Sequence, residues 1–295
     1  SGENILNETN VLKSSITNDI IFESKEYISF NTIKNSFGVD IKNLNSMGKN
    51  HSRYKSSPQI EMMSIFNFDS SIPLLKKEEK YTNYLIPKLS LKVNPSDMKN
   101  YYNSDRVIDV NNIFTNNRLG INDSLEAGRS ITLGLDFKKE NIEDPNKFFE
   151  IKLASVLRDK EENFIPKKTT LNKKTSNIFG SISNNFIEFL DLSYNFSINN
   201  DLESLEYNNF NAEFKFNNFT SKLNFVEESG EMGSANFIEN DTYFKFNENN
   251  YFNFKNRRNK KLNLTEYYDL VYEYKNDCLT AGIKYKKTYY EDRDL

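Results

Sequence analysis

The chain has 295 residues, 39 basic and 42 acidic side chains, a formal net charge of −3, no tryptophan, 17 tyrosines and 24 phenylalanines. A mean hydropathy of −0.72 and the lack of any run of about 20 apolar residues exclude a helical membrane protein. The near-neutral balance excludes a global field that would draw nucleic acid, and the aromatic and β-branched residues that recur along the chain argue against disorder.

What remains is a β-rich protein whose apolar residues occupy one face of many short strands, a composition that transmembrane barrels share because half of every strand is polar. The first residue is Ser1 and no charged segment followed by an apolar core is present, so no signal peptide is expected and the chain reads as an internal fragment whose C-terminal end is also missing. The single cysteine rules out a disulfide within the chain and leaves open a bridge to a cysteine outside it.

Up to about Asn18 the sequence is polar and weakly periodic, as in a loop or a frayed strand. Strand patterns follow at Ile20 to Phe30 and Ser36 to Asn43, and a polar link runs from Asn45 to Ser57. Ile60, Met62, Phe66 and Phe68 form an apolar stripe, with Gln59, Glu61 and Asn67 opposite. Leu89, Leu91 and Val93 alternate with Lys88, Ser90 and Lys92. Between these two, Pro73 and Pro87 argue against central strands, and the charges from Lys76 to Lys80 argue for solvent.

The longest departure from strand patterning, about 94–129, predicts a loop that is functional or contains a short helix. Alternation then resumes with Ile131, Leu133, Leu135 and Phe137 on one face. It continues through Phe149, Ile151, Leu153 and Leu157, and a single strand is expected from Phe186 to Ile198. Ala212 to Phe216, Phe219 to Phe225, Thr242 to Phe246 and Tyr251 to Lys255 come next. A hairpin from Thr265 to Tyr290 places Tyr268, Leu270, Tyr272 and Tyr274 on the same face as Leu279, Ala281, Ile283 and Tyr285, with Cys278 on the polar face beside Lys284. The total is roughly thirteen strands, and the lack of continuously hydrophobic ones favours a single-layer antiparallel barrel over a doubly covered sheet.

Few residues suit chemistry. His51 is the only histidine, so a multi-histidine metal site is excluded and a Ser-His-Asp triad has one loop-borne candidate. Neither a glycine-rich phosphate loop nor a paired-cysteine zinc motif occurs, so no enzyme, metal or cofactor is expected. Glu227, Glu228 and Glu231 form either an acidic loop for a divalent cation or an ordinary surface loop. Arg257 and Arg258 in NRRNKK suit phosphate contact or a solvated strand end.

Three stretches go beyond a generic barrel: DVNNIFTNNRLGINDSLEAGRSITLGLDF (residues 109–137), SSPQIE with the later SSIPL, and TEYYDLVYEYKNDCLTAGIKY. Together they resemble the barrel of the LptD family, also called OstA or Imp, the outer-membrane lipopolysaccharide-assembly proteins. The resemblance covers most of the chain from about Leu44 onward. It implies an all-β, antiparallel transmembrane β-barrel of roughly 26 strands, of which residues 1–295 are one domain fragment carrying about the C-terminal half.

The implied protein is no enzyme. It sits in the cell outer membrane and inserts lipopolysaccharide into the outer leaflet, with an LptE-like lipoprotein plug and an LptA-like periplasmic bridge as partners. A lateral exit lies between its first and last strands, at or beyond the edge of this fragment. The resemblance further implies that Cys278, at a short periplasmic turn, bridges to a periplasmic cysteine, although Asp277 stands where members often have a second cysteine. Arg118 and Arg129, flanked by Asp123 and Glu126, would then form a lumenal ion-pair network that fixes a folded-in loop, with phosphate contact as the alternative. A porin or receptor-type transport barrel, and a soluble β-sheet adhesin whose apolar faces pack on each other, are the competing readings.

Overall fold

A computed structural model describes Gly2–Asn7 and residues 10–289. Its strands are β1 (Gly2–Asn7), β2 (Val11–Glu23), β3 (Tyr27–Ser29), β4 (Ile33–Lys49), β5 (Gln59–Ser71), β6 (Leu74–Lys77), β7 (Tyr81–Asn94), β8 (Gly128–Asn141) and β9 (Phe148–Arg158). The series continues with β10 (Ile178–Ile187), β11 (Leu190–Ile198), β12 (Leu205–Phe216), β13 (Phe219–Glu228), β14 (Asn236–Lys245), β15 (Asn250–Asn259), β16 (Leu264–Lys275) and β17 (Thr280–Thr288). Two compact units divide the chain, one drawn from residues up to Leu75, Tyr84–Asp136 and Lys152–Phe179, the other from Lys76–Asn83, Phe137–Ile151 and Gly180 onward.

In the first unit the faces are inverted relative to a soluble sheet. On β5 the apolar stripe is the open one, with Ile60 77% and Met62 68% exposed, whereas Lys92 and Thr132 on the polar faces of β7 and β8 are 2% and 0% exposed. The register carries the apolar side across the wall: Phe22 faces Val39, Val39 faces Phe66 and Phe66 faces Val93. A side chain that alternates between faces must be apolar on the face without water and polar on the other. These open apolar faces contradict the adhesin reading, which requires them to pack together. The buried apolar residues Leu44, Tyr54, Met63, Ile65 and Leu125 lie on the opposite side, under the segment between β7 and β8.

The second unit is a meander from β11 to β17 whose register lines up two rows. On one face Phe216, Phe219, Phe244, Phe252, Tyr272 and Ile283 are successive cross-strand partners. On the other, Glu213, Lys222, Asp241, Lys255, Asp269 and Lys286 are, with Lys222–Glu213 at 3.0 Å and Lys255–Asp241 at 2.8 Å. Charges of opposite sign directly across a strand pair favour this register, and a slip by one residue would turn every aromatic in the first row to the wrong face.

The structure corrects several expectations. Of the two readings of the N-terminal stretch, a loop or a frayed strand, the structure has strand, with β2 beginning at Val11, while β3 is a separate strand after the turn that follows Glu23. Pro87 lies inside β7. It sits one residue beyond the Ser71–Lys88 end of the β5–β7 ladder, where its carbonyl accepts from the Ile72 N–H and its missing N–H breaks no ladder bond. Phe186 to Ile198 is the junction of β10 and β11, not one strand. The strands predicted at Ala212 and Thr242 start earlier, at Leu205 and Asn236. In the last hairpin the pairs Leu270–Tyr285, Tyr272–Ile283 and Tyr274–Ala281 hold. Cys278, however, is in the turn between Lys275 and Thr280, and Tyr290 lies outside the described residues.

If the open face of β8 meets lipid, Leu133→Arg near mid-strand destabilises the full-length protein by about 2–4 kcal/mol, and an arginine at a strand end costs about 0–1 kcal/mol. Denaturant unfolding in lipid vesicles measures both. Equal costs at both depths would contradict a lipid-facing wall.

Candidate functional site

The site is built by the segment 95–127 between β7 and β8, which contains no helix and buries Met98, Ile108, Val110, Ile113, Leu119, Ile121 and Leu125. A loop with that much apolar burial has its own small core and lies against the sheet instead of standing in solvent. A second irregular stretch, residues 159–177, packs with it: Ile165 and Leu171 are fully buried, and the Tyr101 and Lys167 N–H groups donate to the Phe164 and Tyr102 carbonyls at 2.9 and 3.0 Å.

Phe114 pins the segment to the wall. Its ring covers Gly134 so closely that a Cβ there would lie 2.5 Å from the ring edge. Lys92 donates from β7 to the Thr115 carbonyl. Gly128, at φ +85°, starts β8, and a Cβ on it would meet the Arg158 guanidinium at 2.9 Å, so both backbone and space call for glycine.

At the centre Arg118 meets Glu126 side-on, Nε to Oε2 and Nη2 to Oε1, each 2.6 Å, and donates further to Ser130 Oγ at 2.9 Å and Thr132 Oγ1 at 2.8 Å. Arg158, at the end of β9, donates from Nη1 to the same Oε1 at 2.5 Å and from Nη2 to the Ala127 carbonyl. Asn94 at the end of β7 donates to the Glu126 carbonyl at 2.8 Å. Burial alone would raise the Glu126 carboxyl, but the charge and hydrogen bonds of Arg118, and the charge of Arg158, bring it down to about 2.

Of the four residues expected to act together, the structure joins Arg118 and Glu126. Asp123 instead accepts hydrogen bonds from the Tyr54 and Tyr101 phenols. Arg129 is exposed on β8, on the same face as Ile131 and Leu133, its carbonyl accepts from the Asp159 N–H at 3.5 Å, and the second guanidinium on Glu126 is that of Arg158. Arg158 and Lys92 went unmarked because neither stands near the motif in sequence. Cross-strand register brings them there, and only the choice of a charged residue on an otherwise regular strand hinted at it.

The remaining candidates lie apart. Arg257 is held by Glu266 at 2.8 Å and lies 3.8 Å over the Phe237 ring, and Arg258 donates to Asn263 at 2.6 Å. Both are on β15 with protein partners. Cys278 is exposed with a free thiol, and its N–H donates to Asn276 Oδ1 at 3.0 Å. His51 packs edge-on against Tyr54 at 4.9 Å, and burial with the charges of Arg53 and Lys13 keeps its imidazole below the usual value. Among the described residues no three His, Cys, Asp or Glu side chains converge to hold a metal, Glu227, Glu228 and Glu231 included.

Two tests follow from Glu126. Its lowered value means that the stabilisation, about 3 kcal/mol for a shift of this size, is complete above the usual carboxylate value of 4.5 and is lost as pH falls towards about 2. Hydrogen-exchange protection across residues 118–127, taken relative to the intrinsic rate at each pH, should therefore stay high at pH 5 and fall below pH ~3.5. Glu126→Gln leaves two buried guanidiniums without a counter-charge, at a cost of about 3–5 kcal/mol, and proteolysis should then cut the segment at neutral pH. Unchanged protection in that variant would remove the carboxylate from its central role.

The family model for LptD, LPS transport system D, matches residues 30–232. A comparison with curated proteins gives no match. The family match decides against a porin or receptor-type barrel, since LptD members are non-catalytic transporters of the outer membrane that pass lipopolysaccharide to its surface, and they work with partner proteins. With residues 30–232 matched, an antiparallel sheet whose apolar faces lie open, and a charged segment folded against its polar face, the chain belongs to the LptD family of lipopolysaccharide translocons.

Proposed function

We propose that residues 1–295 form about the C-terminal half of the barrel, with the segment 95–127 as a folded-in lumenal lining that shapes the route of the lipopolysaccharide sugar chain. The observation that supports this is the inversion of the wall. Apolar faces such as Ile60, Met62 and Leu133 are open, while Ser90 is buried and Lys92, Ser130 and Thr132 are buried against the segment. A polar wall suits hydrated sugar, and an apolar outside suits acyl chains in the bilayer.

The partners that complete the task are an LptE-like lipoprotein plug in the lumen and an LptA-like bridge that delivers lipopolysaccharide through a periplasmic domain. Arg118, Glu126 and Asp123 hold the lining in place. Within the second unit the turns at 217–218, 246–249 and 276–279 share one end of the meander, and the connections 199–204, 229–235 and 260–263, two of them longer, share the other. Short turns are periplasmic in barrels of this type. Cys278 then faces the periplasm, where a cysteine of the N-terminal domain can reach it. Contact of Arg257 or Arg258 with phosphate requires exchange of their present partners and is the minor part of the proposal.

In cells depleted of the native protein, the full-length chain should restore surface lipopolysaccharide. Gly134→Leu, which displaces Phe114, should assemble in the membrane yet restore several-fold less. Surface lipopolysaccharide that does not change on depletion would sink the transport reading. Cys278→Ser should abolish one mobility shift of the full-length protein on non-reducing gels, and an unaltered pattern would leave Cys278 a free thiol.

A further inference from the structure

Beside the Glu126 network, but separate from it, Ser52, Arg53, Asn100, Tyr101, Asn103 and Ser104 line a cleft of about 300 Å³ in the first unit. None of the six is acidic, and together they offer a guanidinium, two amides and three hydroxyls. The Arg53 guanidinium lies 4.3 Å over the Tyr101 ring. That ring is itself fixed, since its phenol donates to Asp123. A guanidinium stacked on an aromatic face keeps its N–H edge for an anion in the plane of the fork.

No carboxylate among the described residues pairs with Arg53. The nearby acids are engaged: Asp123 by two phenols, Glu61 by Lys99 at 2.6 Å and Asp105 by Lys168 at 2.8 Å. The Ser104 hydroxyl is buried and has no partner, the mark of a polar group that awaits one. Asn100 uses its oxygen to accept from the Tyr102 N–H at 3.0 Å, which leaves its amide N–H group for a ligand.

A cationic, donor-rich cleft suits an anion with several oxygens, and its volume exceeds what a bare phosphate fills. We propose that this cleft binds a phosphorylated sugar, with Arg53 on the phosphate and Ser104, Asn100 and Asn103 on phosphate and hydroxyl oxygens. The inference deepens the transport reading, on which its source rests: lipopolysaccharide carries such groups on its inner sugars, and a free sugar phosphate presents the same chemistry.

Calorimetry on the full-length protein with its partner lipoprotein in detergent micelles tests this with glucosamine 6-phosphate, glucosamine and inorganic phosphate. The sugar phosphate should bind at least tenfold more tightly than either of the others. Arg53→Gln should weaken it about tenfold or more, Arg53→Lys should recover part of the loss, and Ser104→Ala should weaken it a few-fold without touching the stacked ring. Equal binding of inorganic phosphate, or full affinity in both Arg53→Gln and Ser104→Ala, overturns the proposal. Lipopolysaccharide should displace the sugar phosphate, and enzymatically dephosphorylated lipopolysaccharide should not. If neither displaces it, the cleft belongs to free sugar phosphate and the link to lipopolysaccharide is overturned, whatever the surface-lipopolysaccharide experiment returns.

Discussion

One buried carboxylate, Glu126, lies between two guanidiniums, and the arrangement of the first unit depends on it. The segment supplies Arg118 and the end of β9 supplies Arg158. β8 contributes Ser130 and Thr132, and β7 contributes Asn94. One acid therefore ties three strands to an otherwise irregular stretch of chain. Desolvating three charges is costly, and an apolar cluster of the same volume could stabilise as well or better. The network's value is in placement, because its charged hydrogen bonds form in only one position of the segment, and a shift would leave a buried charge alone.

The same constraint explains the rest of that wall. A single-layer sheet with lipid on one side has its polar side chains on the other, and whatever lies there must satisfy them. Lys92 does so through the Thr115 carbonyl, and Lys88 through Asp136 at 2.5 Å. Where the inner face carries apolar residues under the segment, the segment brings its own: Leu125 against Leu44, Met63 and Ile65. The segment is thus matched to the wall residue by residue, in charge near Arg118 and in shape at Gly134.

The faces of the regular strands were legible, because alternation over β5, β8 and β16 has one physical meaning whether or not the boundaries are known. The motif around Arg118 was also legible as a site, and its pairing with Glu126 could be expected because the two are close in sequence. Three things were not. β2 was obscured by its polar start, where Ser14, Ser15, Thr17 and Asn18 leave no apolar stripe. Pro87 was misjudged because the rule against proline in a sheet concerns a lost ladder bond, and β5 stops pairing one residue before it. Arg158 and the two tyrosines on Asp123 are distant in sequence from the residues they touch, and no local pattern specifies such a meeting.

Glycine with an aromatic cap occurs twice, and the comparison separates structure from site. Gly180 is covered by Phe196, close enough that a Cβ would lie 2.1 Å from the ring. Both residues belong to neighbouring strands, β10 and β11, so the pair fills a gap left by the missing side chain within the sheet, as aromatic rescue does elsewhere. Gly134 is covered by Phe114, which comes from outside the sheet. A ring supplied by a neighbouring strand stabilises the wall whatever else is bound, whereas a ring supplied by the segment stabilises only the docked state. The glycine at 134 is therefore a requirement of the folded-in segment and not of the strand that carries it, and a change there acts on the lining while leaving the ladder of β8 intact.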